Sequence, residues 1–251
     1  MDATSYVTLS AQIALEKQLD TVANNVANTS TSGFKADRPL FQSYIDRVSA
    51  TPNDSGVAFV QDAGTYIDRS SGSMENTGNP MDIALDGQGY LGVNTPDGPM
   101  YSRDGHLKVG ADNTLLGAGG LPVLGSDGSP IQIPDGYAEL QIKADGSIKA
   151  MVNQRLVDVA QIGVFKPDDP NSLRKDGNGL LTAPQGTMQP VTPNDGGARV
   201  VQGSLEGSTV KPMVEIANMT ELSRAYDRLN SLLSDENDRE QKMIDTLSHS
   251  N

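Results

Sequence analysis

Residues 18 to 35 read Gln-Leu-Asp-Thr-Val-Ala-Asn-Asn-Val-Ala-Asn-Thr-Ser-Thr-Ser-Gly-Phe-Lys, an apolar-striped helix that runs into an abrupt polar stop. Leu15, Leu19, Val22 and Val26 recur at spacings of four and three, the period of one helical face. Asn28 through Ser32 then supply small polar side chains and Gly33 a permissive backbone, which is helix-ending chemistry. Asn24 and Asn25 sit inside the pattern, where an amide that competes for backbone hydrogen bonds lowers helix propensity. A stripe carrying such amides reads as a surface specified for a partner. The plainer alternative is an N-terminal helix packed on its own domain.

The far end of the chain carries a matching stripe. Met219, Leu222, Tyr226, Leu229, Leu233, Met243 and Leu247 fall on one register of alternating three and four, with Glu236 and Glu240 in the slots between Leu233 and Met243. This heptad-like seam predicts a helix from about Pro212 to Ser248, with the proline in the first turn where its missing N–H costs nothing. Such a helix reaches about 54 Å, too long to lie inside one compact domain of this size. Broken as they are by Gln12, Asn25, Glu236 and Glu240, the two stripes need each other, and neighbouring chains, for apolar cover.

Between the ends the pattern changes. Met81 to Asp86 alternates, as do Gln132-Ile133 and Leu140 to Lys143, and seven Asp-Gly pairs from residue 86 to 177 punctuate the stretch. Asp-Gly favours tight hairpin turns in which both central residues take φ > 0. Residues 50 to 56 and 184 to 197 read as loops. The expected fold is α+β: a turn-rich antiparallel β domain over residues 35–210, with helices at 1–34 and 211–251 pairing as a coiled-coil-like bundle.

Composition narrows the function. With no Trp and four Phe, the core must be aliphatic, and with no Cys there are no disulfides, thiolate metal sites or cysteine nucleophiles. A net charge of -13 argues against binding nucleic acid or anionic lipid through bulk electrostatics. No run of about 18 apolar residues predicts a membrane span, and no apolar leader precedes Lys17.

Catalytic signals are weak. Gly87-Gln88-Gly89-Tyr90-Leu91-Gly92 fits a dinucleotide fingerprint, but strand and turn residues follow where a helix is required. His106 and His249 are the only histidines, and no G-x-S-x-G elbow accompanies them. Lys175 to Gly179 lacks the ligand spacing of a calcium loop. Neither an enzyme nor a cofactor or metal site is expected. A β-rich peptidoglycan-binding module with helical arms and a peptidoglycan hydrolase stand as rivals; the 4% aromatic content disfavours sugar stacking.

Three segments in order carry a resemblance. They are Ala23 to Asn28 with Thr31, Gly33 and Phe34-Lys35; Thr77 to Ala84 with Gly87, Gly89-Tyr90 and Tyr101 to Gly105; and Gln202 to Val210 with Met219 and Arg224-Ala225-Tyr226. Together they resemble the flagellar axial family of rod, hook and hook-associated subunits. Val26 and the Thr-Ser-Thr-Ser run depart from its commoner N-terminal pattern. The short length and single middle domain are most similar to the proximal rod, with the distal rod and then the hook subunit as alternatives. The resemblance implies a structural subunit that assembles with itself and other rod proteins into a helical drive shaft. It further implies export by the flagellar type III apparatus without a cleaved leader, and assembly beneath a cap in the periplasm. Assembly contacts then fall on Leu15, Leu19, Val22, Asn24, Asn25, Val26, Asn28, Gly33 and Phe34, and on the seven residues of the C-terminal seam. In this family a Phe four residues before an aliphatic side chain can act as an export signal; Phe41 and Ile45 fit, and both also suit a core.

Overall fold

A computed structural model describes residues 3–46, 57–176, 179–192 and 196–248; for residues 3–7, 41–46 and 57–63, and for several residues beyond 235, it describes the backbone alone. The fold class is α+β, with one long helix at each end and a mid-chain antiparallel β region. The chain divides into two units: Met1–Ala27, Asp37–Tyr66 and Lys211–Asn251 form one; Asn28–Ala36 and Ile67–Val210 form the other.

In the first unit, α1 spans Ala3–Ala27 and α2 spans Pro212–Ser248. The first helix stops where the small polar run from Asn28 begins, and α2 starts on its proline. Gln12 donates from Nε2 to the Tyr226 hydroxyl at 3.3 Å and to Asn230 Oδ1 at 3.4 Å. Toward the other end, Val22 and Asn25 share a cleft with Glu215 and Leu222, so the helices run antiparallel. Val22 is buried, while Leu15, Leu19 and Val26 on α1 and Leu222, Tyr226, Leu229 and Leu233 on α2 are half-buried. Half-burial recovers only part of the ~1.5–3 kcal/mol that a fully buried aliphatic side chain gains. Met219 is exposed, and the side chains of Met243 and Leu247 lie outside the described part. Strands β1 (Asp37–Asp46) and β2 (Val57–Ile67) pair in a two-stranded sheet.

The second unit is built from short antiparallel strands. β5 (Tyr90–Thr95) and β6 (Gly98–Ser102) form a hairpin inside a six-stranded sheet. β9 (Tyr137–Ile142), β10 (Ser147–Val152) and β11 (Arg155–Gln161) form a second sheet. The core is aliphatic as composition requires, with Ile83, Leu91, Leu115, Val123, Ile148 and Ile162 nearly inaccessible. Tyr101 and Phe165 add an edge-to-face pair at 5.6 Å.

Two local expectations are corrected. Gln132-Ile133 forms only an isolated bridge, Gln132 with Thr114, because the segment is paired through single residues on both sides. At five of the Asp-Gly pairs the glycine, but not the aspartate, takes positive φ: Gly87, Gly98, Gly128, Gly136 and Gly146. The aspartates instead accept hydrogen bonds from the residue two ahead, Asp127 from Ser129 N and Asp145 from both the amide and the hydroxyl of Ser147. Turns with both central residues at positive φ are Asn153-Gln154, between β10 and β11, and Gly119-Gly120.

Candidate assembly site

The signature that ends α1 does not simply unravel. Ala36 donates its amide to the Thr209 hydroxyl at 2.8 Å, and Thr209 N returns to Phe34 O at 3.0 Å. Phe34, Ala36 and Val210 make a small buried cluster, with the Lys175 ammonium 3.7 Å from the Phe34 ring centroid. Gly33 N donates to Glu206 O at 2.7 Å, with Gly33 at φ 69°. A Cβ there would lie 2.2 Å from the carbonyl carbon of Arg103, so only glycine fits. Gly33→Ala is expected to cost at least the ~1–3 kcal/mol of left-handed strain, read as a lower urea midpoint; an unchanged midpoint contradicts this packing.

Beneath that turn lies a buried ion cluster. Glu206 Oε1 accepts from Lys35 Nζ at 2.6 Å, and Oε2 from Arg103 Nη1 at 2.8 Å. Gly72 N adds a bond to Oε1 at 2.9 Å. Lys35 also donates to Ser70 O at 2.7 Å, and Arg103 to Leu85 O at 3.0 Å and Gly87 O at 2.6 Å. Burial alone would raise the Glu206 carboxyl; the Arg103 charge and the Lys35 hydrogen bond outweigh it and hold the group below the ordinary glutamate value. Burial lowers Lys35 more than Glu206 raises it, as expected where two cations share one anion. Lys35 belongs to the first signature segment, Arg103 to the second and Glu206 to the third, so one cluster ties all three.

Smaller bonds finish the same job. Asp82 accepts from the Thr77 hydroxyl at 2.7 Å and from Asn79 Nδ2 at 3.1 Å, closing the Thr77-Gly78-Asn79-Pro80-Met81-Asp82 turn. Gln202 Nε2 donates to Pro80 O at 2.8 Å and Leu140 O at 2.9 Å, and its Oε1 accepts from Ile142 N at 3.1 Å. Gly89 and Gly92 of the fingerprint pack against Val164 and Phe165, and a strand follows them.

In the helical unit, Asn25 is fully buried and its amide satisfies Asp37 twice: Nδ2 donates to Asp37 O and Oδ1 accepts from Asp37 N, both at 2.9 Å. The awkward amide thus fixes where the chain leaves α1. Asn25→Ala removes both of these bonds, an expected loss of about 1–3 kcal/mol by thermal unfolding. Arg38 Nη1 pairs with the buried Glu215 Oε1 at 2.6 Å in the first turn of α2. Asn24 is exposed, and Asn28 accepts from the Thr31 hydroxyl at 3.1 Å. Phe41 and Ile45 lie on β1, their side chains outside the described part. Lys35, Arg103, Glu206 and the Arg38–Glu215 pair were missed as a site; the available signal was lone charges inside otherwise small or apolar motifs.

Comparison with known proteins matches three regions that overlap the signature segments. Residues 6–35 match the flagella basal body rod protein model, residues 84–150 the flagellar hook protein FlgE/F/G D1 domain, and residues 201–246 the flagellar basal body rod FlgEFG protein C-terminal model. The chain is 36% identical to the flagellar basal-body rod protein FlgF of Mesorhizobium japonicum over 98% of both chains. The chain belongs to the flagellar basal-body rod protein family. The Caulobacter vibrioides FlgF is 35% identical over 93% of both chains, and the Bacillus subtilis FlgG is 27% identical over 95% of this chain. The rod family is one of structural subunits, not of enzymes, and this chain is a structural rod subunit of F type. The cluster that joins its signature segments accordingly reads as architecture.

Proposed function

We propose that this chain is a proximal-rod subunit whose terminal helices form the assembly interface. The observation that carries this is the uncovered apolar surface of the terminal helices. Leu9, Ile13, Met213, Val214, Ile216, Met219 and Leu232 are all exposed on α1 or α2, on helices whose mutual seam is only half-buried. A lone helical pair with so little cover is marginal, since ordering backbone costs about 1–2 kcal/mol per residue. Stacking with neighbouring copies supplies the missing cover, and contacts that repeat without closing generate a helical tube. On this reading α1 and α2 pack as a coiled-coil-like bundle completed by neighbours, and the subunit passes unfolded through the flagellar type III apparatus to assemble beneath a cap in the periplasm. Phe41 and Ile45 are its export signal.

Limited proteolysis of the free full-length chain tests folding on assembly. The expected product is a core near residues 35–210 with both ends removed; equal protection of the ends contradicts it. An epitope-tagged chain in isolated basal bodies should label the proximal rod, and label confined to the hook contradicts the assignment.

A further inference from the structure

In the β unit a cavity of about 310 Å³ is lined by Arg69, Tyr90, Arg103, Lys166 and the prolines Pro167 and Pro170. Its charged side chains are all cationic, with the Gln88 amide and the Gly89 backbone completing the lining. Arg103 has a 6% exposed side chain, yet its Nε is buried with no hydrogen-bond partner. The Arg69 guanidinium, the Lys166 ammonium and the Tyr90 hydroxyl make no hydrogen bond or ion pair among the described residues. Tyr90 is held beneath Arg103, whose guanidinium carbon sits 5.3 Å from the ring centroid. Glu206, the carboxylate bonded to Arg103, is already shared with Lys35 and the Gly72 amide. Three cations and a phenol therefore line one cavity to which no acidic side chain contributes. An unsatisfied buried donor costs about 1–3 kcal/mol; that cost falls on Arg103 Nε alone, since Arg69 is exposed and Lys166 half-buried.

We propose that the cavity receives an aspartate carboxylate from a second copy of this chain, locking β unit to β unit within the rod. The proposal rests on the rod-subunit reading for the presence of a neighbour. Charge complementarity selects the occupant: the chain carries 32 acids against 19 bases, so acidic turns dominate the surface a neighbour presents. Asp97, at the tip of the β5–β6 hairpin, is exposed and makes no hydrogen bond or ion pair among the described residues. A bidentate carboxylate fits guanidinium geometry, and two further cations strengthen the contact.

Zero-length carbodiimide coupling tests this, because it joins an amine to a carboxylate only when the two touch. Isotope-labelled and unlabelled full-length chains are mixed equally, assembled, coupled and digested. The expected result is a mixed-isotope peptide joining Lys166 to an aspartate of the other copy. It should disappear in Arg69→Glu, with self-association weakened by about tenfold or more and an unchanged unfolding midpoint. Mixed-isotope links at other lysines but none at Lys166 overturn the pocket and leave the rod reading intact. No mixed-isotope link anywhere overturns both. Acetate-dependent NMR shifts at Arg69 without a mixed-isotope link at Lys166 show a site for free carboxylate, and likewise overturn docking by a second copy.

Discussion

Glu206→Gln lowers the stability of the β unit by about 3–5 kcal/mol, the cost of removing one member from a buried charge set. Glu206 is 1% exposed and is the anion between Lys35 and Arg103. Glutamine keeps the shape, but it removes the charge that both cations were desolvated to meet, and turns an amide donor toward one of them. The loss should exceed that of any surface charge reversal, for which ~0–1 kcal/mol is ordinary. Combining Glu206→Gln with Lys35→Met should cost less than the sum of the two, because the second change removes a charge that the first left unpaired. The same carboxylate sets a pH dependence. Its pKa in the folded chain lies below the 4.5 of an ordinary glutamate, so its stabilisation is fully present above that value. It is lost as pH falls through the lowered folded value. Acid unfolding of the Glu206→Gln chain should accordingly be flatter below pH ~4.5; parallel acid titrations of the two chains contradict the cluster's role.

Leu222→Asp combined with Leu229→Asp is expected to abolish rod assembly and swimming. Both leucines are half-buried on the face of α2 that carries Tyr226, the residue bonded to Gln12 of α1. Two carboxylates on that seam repel one another and need water where the partner helix and the neighbouring subunit require apolar surface. The β unit draws its core from Ile83, Leu91, Leu115 and their neighbours, and should keep its urea midpoint. A swimming double variant contradicts a seam role; a lowered β-unit midpoint contradicts the separation of fold from assembly.

Much of this was legible because it is local. The seven-residue seam and Pro212 gave α2 its bounds, and the small polar run after Ala27 gave α1 its end, since period and punctuation act within a few turns. Seven Asp-Gly pairs marked a turn-rich β region, but the turn class was misread. Asp-Gly with serine next favours a carboxylate bond to the serine amide, which leaves the aspartate backbone in its ordinary region. β2, Val57–Ile67, carries no clean alternation and holds Gly64, so its strand character is a matter of pairing with β1. The ion cluster was least visible. Lys35 and Glu206 are 171 positions apart, and no window of sequence shows that a lone lysine will meet a lone glutamate. Asn25 was read as an amide awaiting a partner; its partner is the backbone of Asp37, twelve positions on, and propensity cannot reveal that.

In the proposed rod, neighbouring subunits cover the exposed apolar faces of the terminal helices. The chain has no cysteine, so Leu232→Cys introduces a unique thiol at a side chain that is 62% exposed on α2. Maleimide labelling of that thiol should be rapid in the free chain and strongly suppressed in isolated rods. Equal labelling rates in the two would contradict the claim.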